Sequence, residues 1–242
     1  MGRVSGKTVI VTGGARGLGA AIVSSLVAEG ARVVVADLLE PEGRALVERL
    51  GGQARFLKLD VTDEQAWQRA VAFAEEEFGP VNALVNNAGI VHEESMETLS
   101  EANYRKVIDV NQVAVFLGMK SVVPSMKKAG GGSIVNISSI GGIIAFSGIM
   151  GYVASKWAVR GMTKAAAQEL GPLGIRVNSV HPGFVTTEMT EGTGVDQMAA
   201  IQPLRRTGRP DELAALVLFL VSDESSYSTG SEFVADGGFT SM

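Results

Sequence analysis

Short runs of apolar, mostly β-branched residues alternate with longer stretches of helical period along the whole chain, and that alternation decides the fold class. The apolar runs are Lys7–Thr12, Arg32–Asp37, Ala54–Leu59, Asn82–Asn86, Ser133–Ser138, Ile175–Val180 and Glu232–Ala235. Several are apolar almost throughout, the pattern of strands covered on both faces. The helical stretches between them are Leu18–Glu29, Pro41–Leu50, Asp63–Phe78, Ser100–Lys128, Tyr152–Leu170 and Asp211–Leu220. In the third, Trp67, Ala70, Val71 and Ala74 share one face, with Thr62 as the expected N-cap. Strand–helix alternation predicts parallel βαβ units with right-handed crossovers. The expectation is an α/β fold: one doubly wound parallel sheet of about seven strands with helices on both faces.

The bulk properties narrow the function classes. Hydrophobic residues at 46% and charged residues at 19% exclude a disordered chain. No Pro/Ser-rich linker or repeat divides the sequence, so residues 1–242 are expected to form a single domain. The least regular stretch, residues 184–210, reads as a substrate lid. A formal charge of −5 without a basic run argues against nucleic acid or an anionic membrane as partner. The chain has no cysteine, which excludes disulfides, zinc–thiolate sites and cysteine nucleophiles. No signal-peptide pattern and no run of about 20 apolar residues is visible, and the expected location is cytoplasmic.

The first strand runs into Thr12-Gly13-Gly14-Ala15-Arg16-Gly17-Leu18-Gly19 and then a helix. Glycines permit a tight strand-to-helix turn and close backbone approach, and the helix N-terminus offers unpaired N–H groups to a pyrophosphate. A strand, this loop and a helix in succession are the opening of a Rossmann fold. Asp37 ends the second strand, where a carboxylate can accept both ribose hydroxyls of NAD and repel the 2′-phosphate of NADP. Arg16 in the loop could instead pair with that phosphate; Asp37 is better placed, and the expected cofactor is NAD. Asp60, at the end of the third strand before Val61, is a candidate for the adenine edge, or a turn or cap residue.

Tyr152 and Lys156 lie four apart on an expected helix, so their side chains share one face. An ammonium beside a phenol favours the phenolate, and Tyr152 can then act as general acid toward a ketone or base toward an alcohol. Ser139 ends the fifth strand, where open α/β sheets bind ligands, and its hydroxyl can bond the substrate oxygen. Asn111 falls inside a helical pattern that asparagine disfavours, marking a bend, a held water or an outward-facing polar group. His92, after the Asn86-Asn87-Ala88-Gly89 turn, reads as a loop residue, and His181 as a packed turn residue. Neither has metal-ligand spacing, and no metal site is expected. Glu93, Glu94 and Glu97 read as a solvated patch, and Trp67 and Trp157 as packing residues.

Together, TGGARGLG at 12–19, Asp37, Asp60-Val61, NNAG at 86–89, Asn111, Ser139, Tyr152-x-x-x-Lys156, PGFVTT at 182–187 and DGG at 236–238 resemble the short-chain dehydrogenase/reductase family. They occur in the family's order and spacing over nearly the whole chain. The resemblance implies that Tyr152 donates and accepts the proton. Lys156 would lower its pKa and hold the nicotinamide ribose. Ser139 would orient the substrate oxygen, and Asn111 would hold a relay water. Gly13, Arg16, Gly17, Leu18 and Gly19 would line the pyrophosphate. Asp37 would take the adenosine ribose, and Asp60 and Val61 would flank adenine. Asn87, Ala88 and Gly89 would pass under the ribose and nicotinamide. Pro182, Gly183, Val185 and Thr187 would fix the nicotinamide. Framework segments such as GGGSIVNISS, ASKWAVRGMTK and IRVNSVHPG are similar to the bacterial 3α,20β-hydroxysteroid dehydrogenases of the family.

The expected pocket wall is Ile90, Val91, Ile140, Phe146, Met150, Phe184 and Met189. It is apolar and has no Arg or Lys to pair with an acid, so the expected substrate is a small, uncharged, hydrophobic ketone or alcohol. Val110, Val113, Phe116, Met119, Ala158, Met162 and Ala166 exceed what one sheet face needs, and the resemblance implies a homotetramer built on these helices. Two rival functions are an NADPH-dependent 3-oxoacyl carrier-protein reductase and a non-enzymatic dinucleotide sensor. Asp37 and the negative charge weigh against the first, and the Ser139, Tyr152 and Lys156 set against the second.

Overall fold

A computed structural model of the chain describes residues 2–188, 190, 192 and 194–241. At its centre is a seven-stranded sheet. The strands are β1 (Thr8–Thr12), β2 (Arg32–Asp37), β3 (Ala54–Lys58), β4 (Ala83–Asn86), β5 (Gly132–Ile137), β6 (Ile175–Pro182) and β7 (Glu232–Ala235). Their order is β3-β2-β1-β4-β5-β6-β7, with every neighbouring pair parallel. The helices are α1 (Gly17–Ala28), α2 (Glu40–Leu50), α3 (Glu64–Phe78), α4 (Glu101–Ile108), α5 (Ala114–Lys128), α6 (Met150–Leu170), α7 (Val195–Ala199) and α8 (Pro210–Val221).

The continuous apolar strands are explained by two cores, one on each face of the sheet. Val9, Val11, Val33, Val35 and Val85 face one way and pack with Ile22 and Leu26 of α1 and Val217 and Leu220 of α8. Ile10, Val34, Leu84 and Ile134 face the other way and meet Trp67 of α3, Val122 and Met126 of α5 and Val159 of α6. From β1 the chain winds outward to β3, then returns to β4 on the opposite side of β1. The loops leaving β1 and β4 therefore part in opposite directions and open a crevice at the strands' carboxyl ends.

Some local expectations are corrected. Asp63, not Thr62, caps α3, its carboxylate accepting from Gln65 N at 2.8 Å. The stretch 100–128 is one helix interrupted by a π-turn at Asp109–Val113, an i→i+5 register that apolar spacing does not reveal. Counted through that turn, Glu101–Lys128 is the one described helix long and apolar enough by composition to cross a membrane, against the expectation of none. Val115, Leu117, Val122 and Met126 on it are buried in the core. Trp67 is fully buried as expected, whereas Trp157 is half-exposed, with the Arg160 guanidinium 4.9 Å from its ring centroid. Helix α6 starts at Met150, two residues earlier than expected, which places Tyr152 in its first turn.

Trp67 fills the junction of α3, α5 and the sheet: a methyl group on Gly118 would stand 2.8 Å from its ring. Trp67→Ala is expected to lower unfolding free energy by about 3–5 kcal/mol. Denaturant titration checks this, and a loss below about 1 kcal/mol would contradict the packing described.

Candidate active site

The crevice is built by two backbone turns packed against each other. Gly13 and Gly17 have left-handed φ of 61° and 53°. A methyl group on Gly13 would stand 2.9 Å from the Ala88 Cα, and one on Gly19 would collide with the Gly13 carbonyl. Thr12 ties the turns together, its hydroxyl oxygen accepting from Asn87 N at 3.0 Å and Ala88 N at 3.1 Å. Asn87 Nδ2 donates in return to the carbonyls of Thr12 and Gly13, both at 3.0 Å. Leu18 packs its side chain into the core, leaving only its backbone to the crevice. Arg16 is exposed at the N-cap of α1, with no ion pair among the described residues.

Asp37 is tied to the glycine loop and to the turn that follows it. One carboxylate oxygen accepts from Ala15 N at 3.0 Å in the glycine loop, the other from Leu39 N at 3.1 Å. Each oxygen keeps a second lone pair for a hydroxyl donor. Asp60 is exposed and accepts from both the backbone and the hydroxyl of Thr62, at 2.9 and 2.7 Å. The Val61 carbonyl beside it is pinned by the indole N–H of Trp67 at 2.9 Å.

Across the crevice, β6 ends in Pro182, paired with Ala235 of β7. Gly183 N donates to the Ala235 carbonyl at 3.0 Å, and a methyl on Gly183 would stand 2.6 Å from the Asp236 Cα. Val185 is buried and bridges Gly208. Thr187 and Glu188 then pass over the glycine loop. The Glu188 carboxylate would stand 3.1 Å from a methyl on Gly17, and a cavity of about 680 Å³ lies along residues 186–195, touching the glycine loop at Gly17. The glycine cradle and the N-terminus of α1 fit a bound dinucleotide.

The polar groups of the reaction centre converge on the opening of α6. Lys156 is buried, its Nζ 5.5 Å from the Tyr152 ring centroid and donating to the Ile137 carbonyl at 2.8 Å. Burial lowers the Lys156 pKa to about 8. Burial pushes the Tyr152 phenol up, and its hydrogen bond with Ser139 pulls the other way. Ser139 Oγ accepts from Gly141 N at 3.0 Å. Asn111 occupies the π-turn and is fully buried. Its side chain clamps Ile90, accepting from the N–H at 2.8 Å and donating to the carbonyl at 2.9 Å, and donates to Ser155 Oγ at 3.2 Å. Gly89 lies beside them: a methyl there would stand 3.4 Å from Asn111 Oδ1 and 3.6 Å from Lys156 Nζ.

Among the expected pocket residues, Phe146 and Phe184 lie together, with ring centroids 6.4 Å apart. Phe239 joins them, 5.0 Å from Phe184 and 6.3 Å from Phe146. Sequence reasoning missed Phe239; the only available signal was an aromatic just past the DGG turn. Ile140 is almost fully buried behind Ser139, and Met150 and Val91 are exposed. Met189 lies outside the described residues. His92 Nε2 is 2.8 Å from Glu94 Oε2, and Asn103 Nδ2 donates to the same oxygen at 3.3 Å. Glu94 is therefore a paired group, its pKa lowered chiefly by the His92 bond, and not part of a solvated patch. His181 lies within β6, not in a turn, and is fully buried. No cluster of three metal-ligating side chains occurs among the described residues.

These features define a Rossmann-type dinucleotide-binding oxidoreductase. A family model described as Enoyl-(Acyl carrier protein) reductase matches residues 13–240. The 3-alpha-(or 20-beta)-hydroxysteroid dehydrogenase of Mycobacterium tuberculosis is 50% identical over 237 residues, covering 98% of this chain and 90% of the relative. Trans-4-hydroxycyclohexanecarboxylate dehydrogenase of Sinomonas cyclohexanicum is 48% identical, over 98% of this chain and 94% of the relative. Cyclopentanol dehydrogenase of Comamonas testosteroni is 45% identical over 99% of both. The chain belongs to the short-chain dehydrogenase/reductase family, whose members use a nicotinamide dinucleotide.

Glu188 is a further residue that sequence reasoning did not single out. Its carboxylate sits near the N-terminus of α1 with the same sign of charge as a pyrophosphate. Glu188→Gln is expected to tighten NADH binding about two- to fivefold, the worth of one charge at a helix terminus, about 0.5–1 kcal/mol. Fluorescence titration reads this, and weaker binding would mean that Glu188 helps to hold the cofactor.

Proposed function

We propose that the protein is an NAD-dependent dehydrogenase that interconverts a secondary alcohol and a ketone on a small, uncharged, hydrophobic substrate, with cyclic alcohols and hydroxysteroids as the leading class. The observation that carries this reading is the meeting of Ser139, Tyr152 and Lys156 beside the glycine cradle. The activities of the relatives support the substrate class. The Phe146, Phe184 and Phe239 cluster supports it too, offering flat apolar faces to a ring. Asp37 supports NAD over NADP, because a carboxylate there accepts from ribose hydroxyls and repels a 2′-phosphate.

In this reading, Gly13, Arg16, Gly17, Leu18 and Gly19 hold the pyrophosphate, Asp60 and Val61 the adenine, and Asn87, Ala88 and Gly89 the ribose side. Pro182, Gly183, Val185 and Thr187 hold the nicotinamide end. The bound nicotinamide supplies or accepts the hydride. Ser139 Oγ donates to the substrate oxygen and fixes its position. Tyr152 gives its phenolic proton to that oxygen in reduction and takes it back in oxidation. Lys156, charged below about pH 8, sits close enough to favour the phenolate. Asn111 holds the Ile90 turn and the π-turn in register beside Lys156, and a water there would pass the proton onward. Residues 184–210 act as the lid. Val113, Phe116 and Trp157 leave exposed apolar surface on α5, α6 and the π-turn between α4 and α5, which supports association into a homotetramer; we propose a cytoplasmic location.

A second reading, an acyl carrier-protein reductase using NADPH, is favoured by the description of the matching family model. The formal charge of −5 weighs against docking an acidic carrier.

The test is turnover of steroid, cyclic and short-chain ketones, and of an acyl thioester, with NADH and with NADPH. NADH oxidation with a bulky or cyclic ketone is expected, and activity confined to NADPH and the thioester would favour the second reading. Tyr152→Phe is expected to cut kcat by about 10²–10⁴ while NADH still binds. A variant retaining full turnover would remove Tyr152 from the chemistry. Reduction requires a protonated Tyr152 and a charged Lys156, so its rate is expected to fall as pH rises through about 8. Alcohol oxidation requires the phenolate, which burial moves to higher pH, so it is expected to climb at higher pH than that at which reduction falls; parallel profiles in both directions would contradict this.

A further inference from the structure

The backbone of Ser139 is gripped by a group that none of the steps above uses. His181 follows Val180, whose partner across β5 and β6 is Ile137, and its ring is fully buried. Its Nδ1 lies 3.0 Å from the Ser139 carbonyl oxygen, and its Nε2 lies 2.9 Å from Ser179 Oγ. A carbonyl oxygen can only accept, so Nδ1 carries the proton and donates. The other nitrogen is then bare and accepts from the Ser179 hydroxyl. Burial holds the His181 pKa below its ordinary value, and Arg160 and Lys156 push the same way, against the Ser139 bond and Glu232. The ring is neutral, with one tautomer selected by its two partners.

The carbonyl that His181 grips belongs to the turn that aims the Ser139 hydroxyl. That carbonyl also accepts from Gly142 N at 2.9 Å, closing a single 3-10 turn over Ile140–Gly142. Gly141 N donates to Ser139 Oγ at 3.0 Å, and Arg160 Nη1 donates to the Gly142 carbonyl at 2.7 Å. With both lone pairs of the Ser139 carbonyl engaged, the peptide after Ser139 has one orientation. Without the His181 bond, a buried acceptor loses a partner and the turn can rotate.

We infer that His181 is a positioning residue: through the Ser139 carbonyl it sets the direction in which the Ser139 hydroxyl meets Tyr152 and the substrate oxygen. The inference rests on the reading of Ser139 and Tyr152 given above. Because the Ser139 bond draws the Tyr152 pKa down, loosening it raises the pH at which the phenolate forms.

The test uses four variants, Ser139→Ala, His181→Asn, His181→Gln and Ser179→Ala, assayed on the best cyclic alcohol of the panel. An asparagine amide places its N–H where Nδ1 was, whereas a glutamine amide reaches only the Nε2 position. His181→Gln is expected to lower kcat about tenfold, the rate equivalent of about 1.4 kcal/mol, with NADH affinity unchanged. The alkaline rise of its oxidation profile is expected at higher pH than in the parent enzyme. His181→Asn is expected to restore most of kcat and the parent profile, and Ser179→Ala to fall between. If Ser139→Ala keeps full activity, the reading of the site fails and this inference with it. If Ser139→Ala loses activity while His181→Gln does not, or Asn and Gln behave alike, only the inference fails. Nitrogen NMR of the unaltered protein gives an answer independent of folding of the variants: a protonated Nδ1 and bare Nε2 are expected at His181, and the opposite tautomer overturns the proposal.

Discussion

The site depends on two turns touching through their backbones at the carboxyl ends of β1 and β4. Gly13 faces the Ala88 Cα and Gly19 faces the Gly13 carbonyl with no room for a side chain. Thr12 and Asn87 then knit the two loops with four hydrogen bonds. This contact keeps the N-terminus of α1 open toward the crevice and holds Gly89 beside Lys156 and Asn111. The parallel sheet matters for function mainly because its order reverses between β1 and β4, where these loops diverge.

Around that contact lies a set of buried polar groups bonded to one another. Asn86 donates to Asn136 at 2.9 Å, and Asn136 donates to Thr163 at 3.0 Å. The chain of bonds locks β4, β5 and α6 together beneath the reaction centre. Low polarity around α6 lowers the Lys156 pKa to about 8 and raises the Tyr152 pKa, driving apart two groups that titrate close together in water. A Tyr152 that stays protonated is ready to give its proton, and the Ser139 bond and the Lys156 charge act against burial to let it be taken back.

Much of this was legible in the sequence because it rests on spacing. The seven apolar runs became the seven strands, with ends shifted by one or two residues. The four-residue step from Tyr152 to Lys156 put both on one helical face. What escaped depends on hydrogen-bond register or on distant chain segments. Thr62 and Asp63 are both good caps, and only the reach to Gln65 N chooses between them. An i→i+5 turn at Asn111 leaves apolar spacing almost unchanged. Trp157 fits a packed helix face by composition, yet its ring is half-exposed and meets the Arg160 guanidinium. Phe239, Glu188 and His181 join the site only once β6, β7 and the segment after 183 are folded against β5 and α1.

In the proposed function, Asp37, held by the glycine loop, selects NAD for this crevice. The most direct measurement is titration of NADH and NADPH into the parent protein and into Asp37→Ala, following nicotinamide fluorescence. The account expects the parent to prefer NADH by at least about tenfold, or 1.4 kcal/mol, and the preference to collapse in the variant. Equal or tighter NADPH binding by the parent would contradict it, and would assign the adenosine end of the site to Arg16 instead.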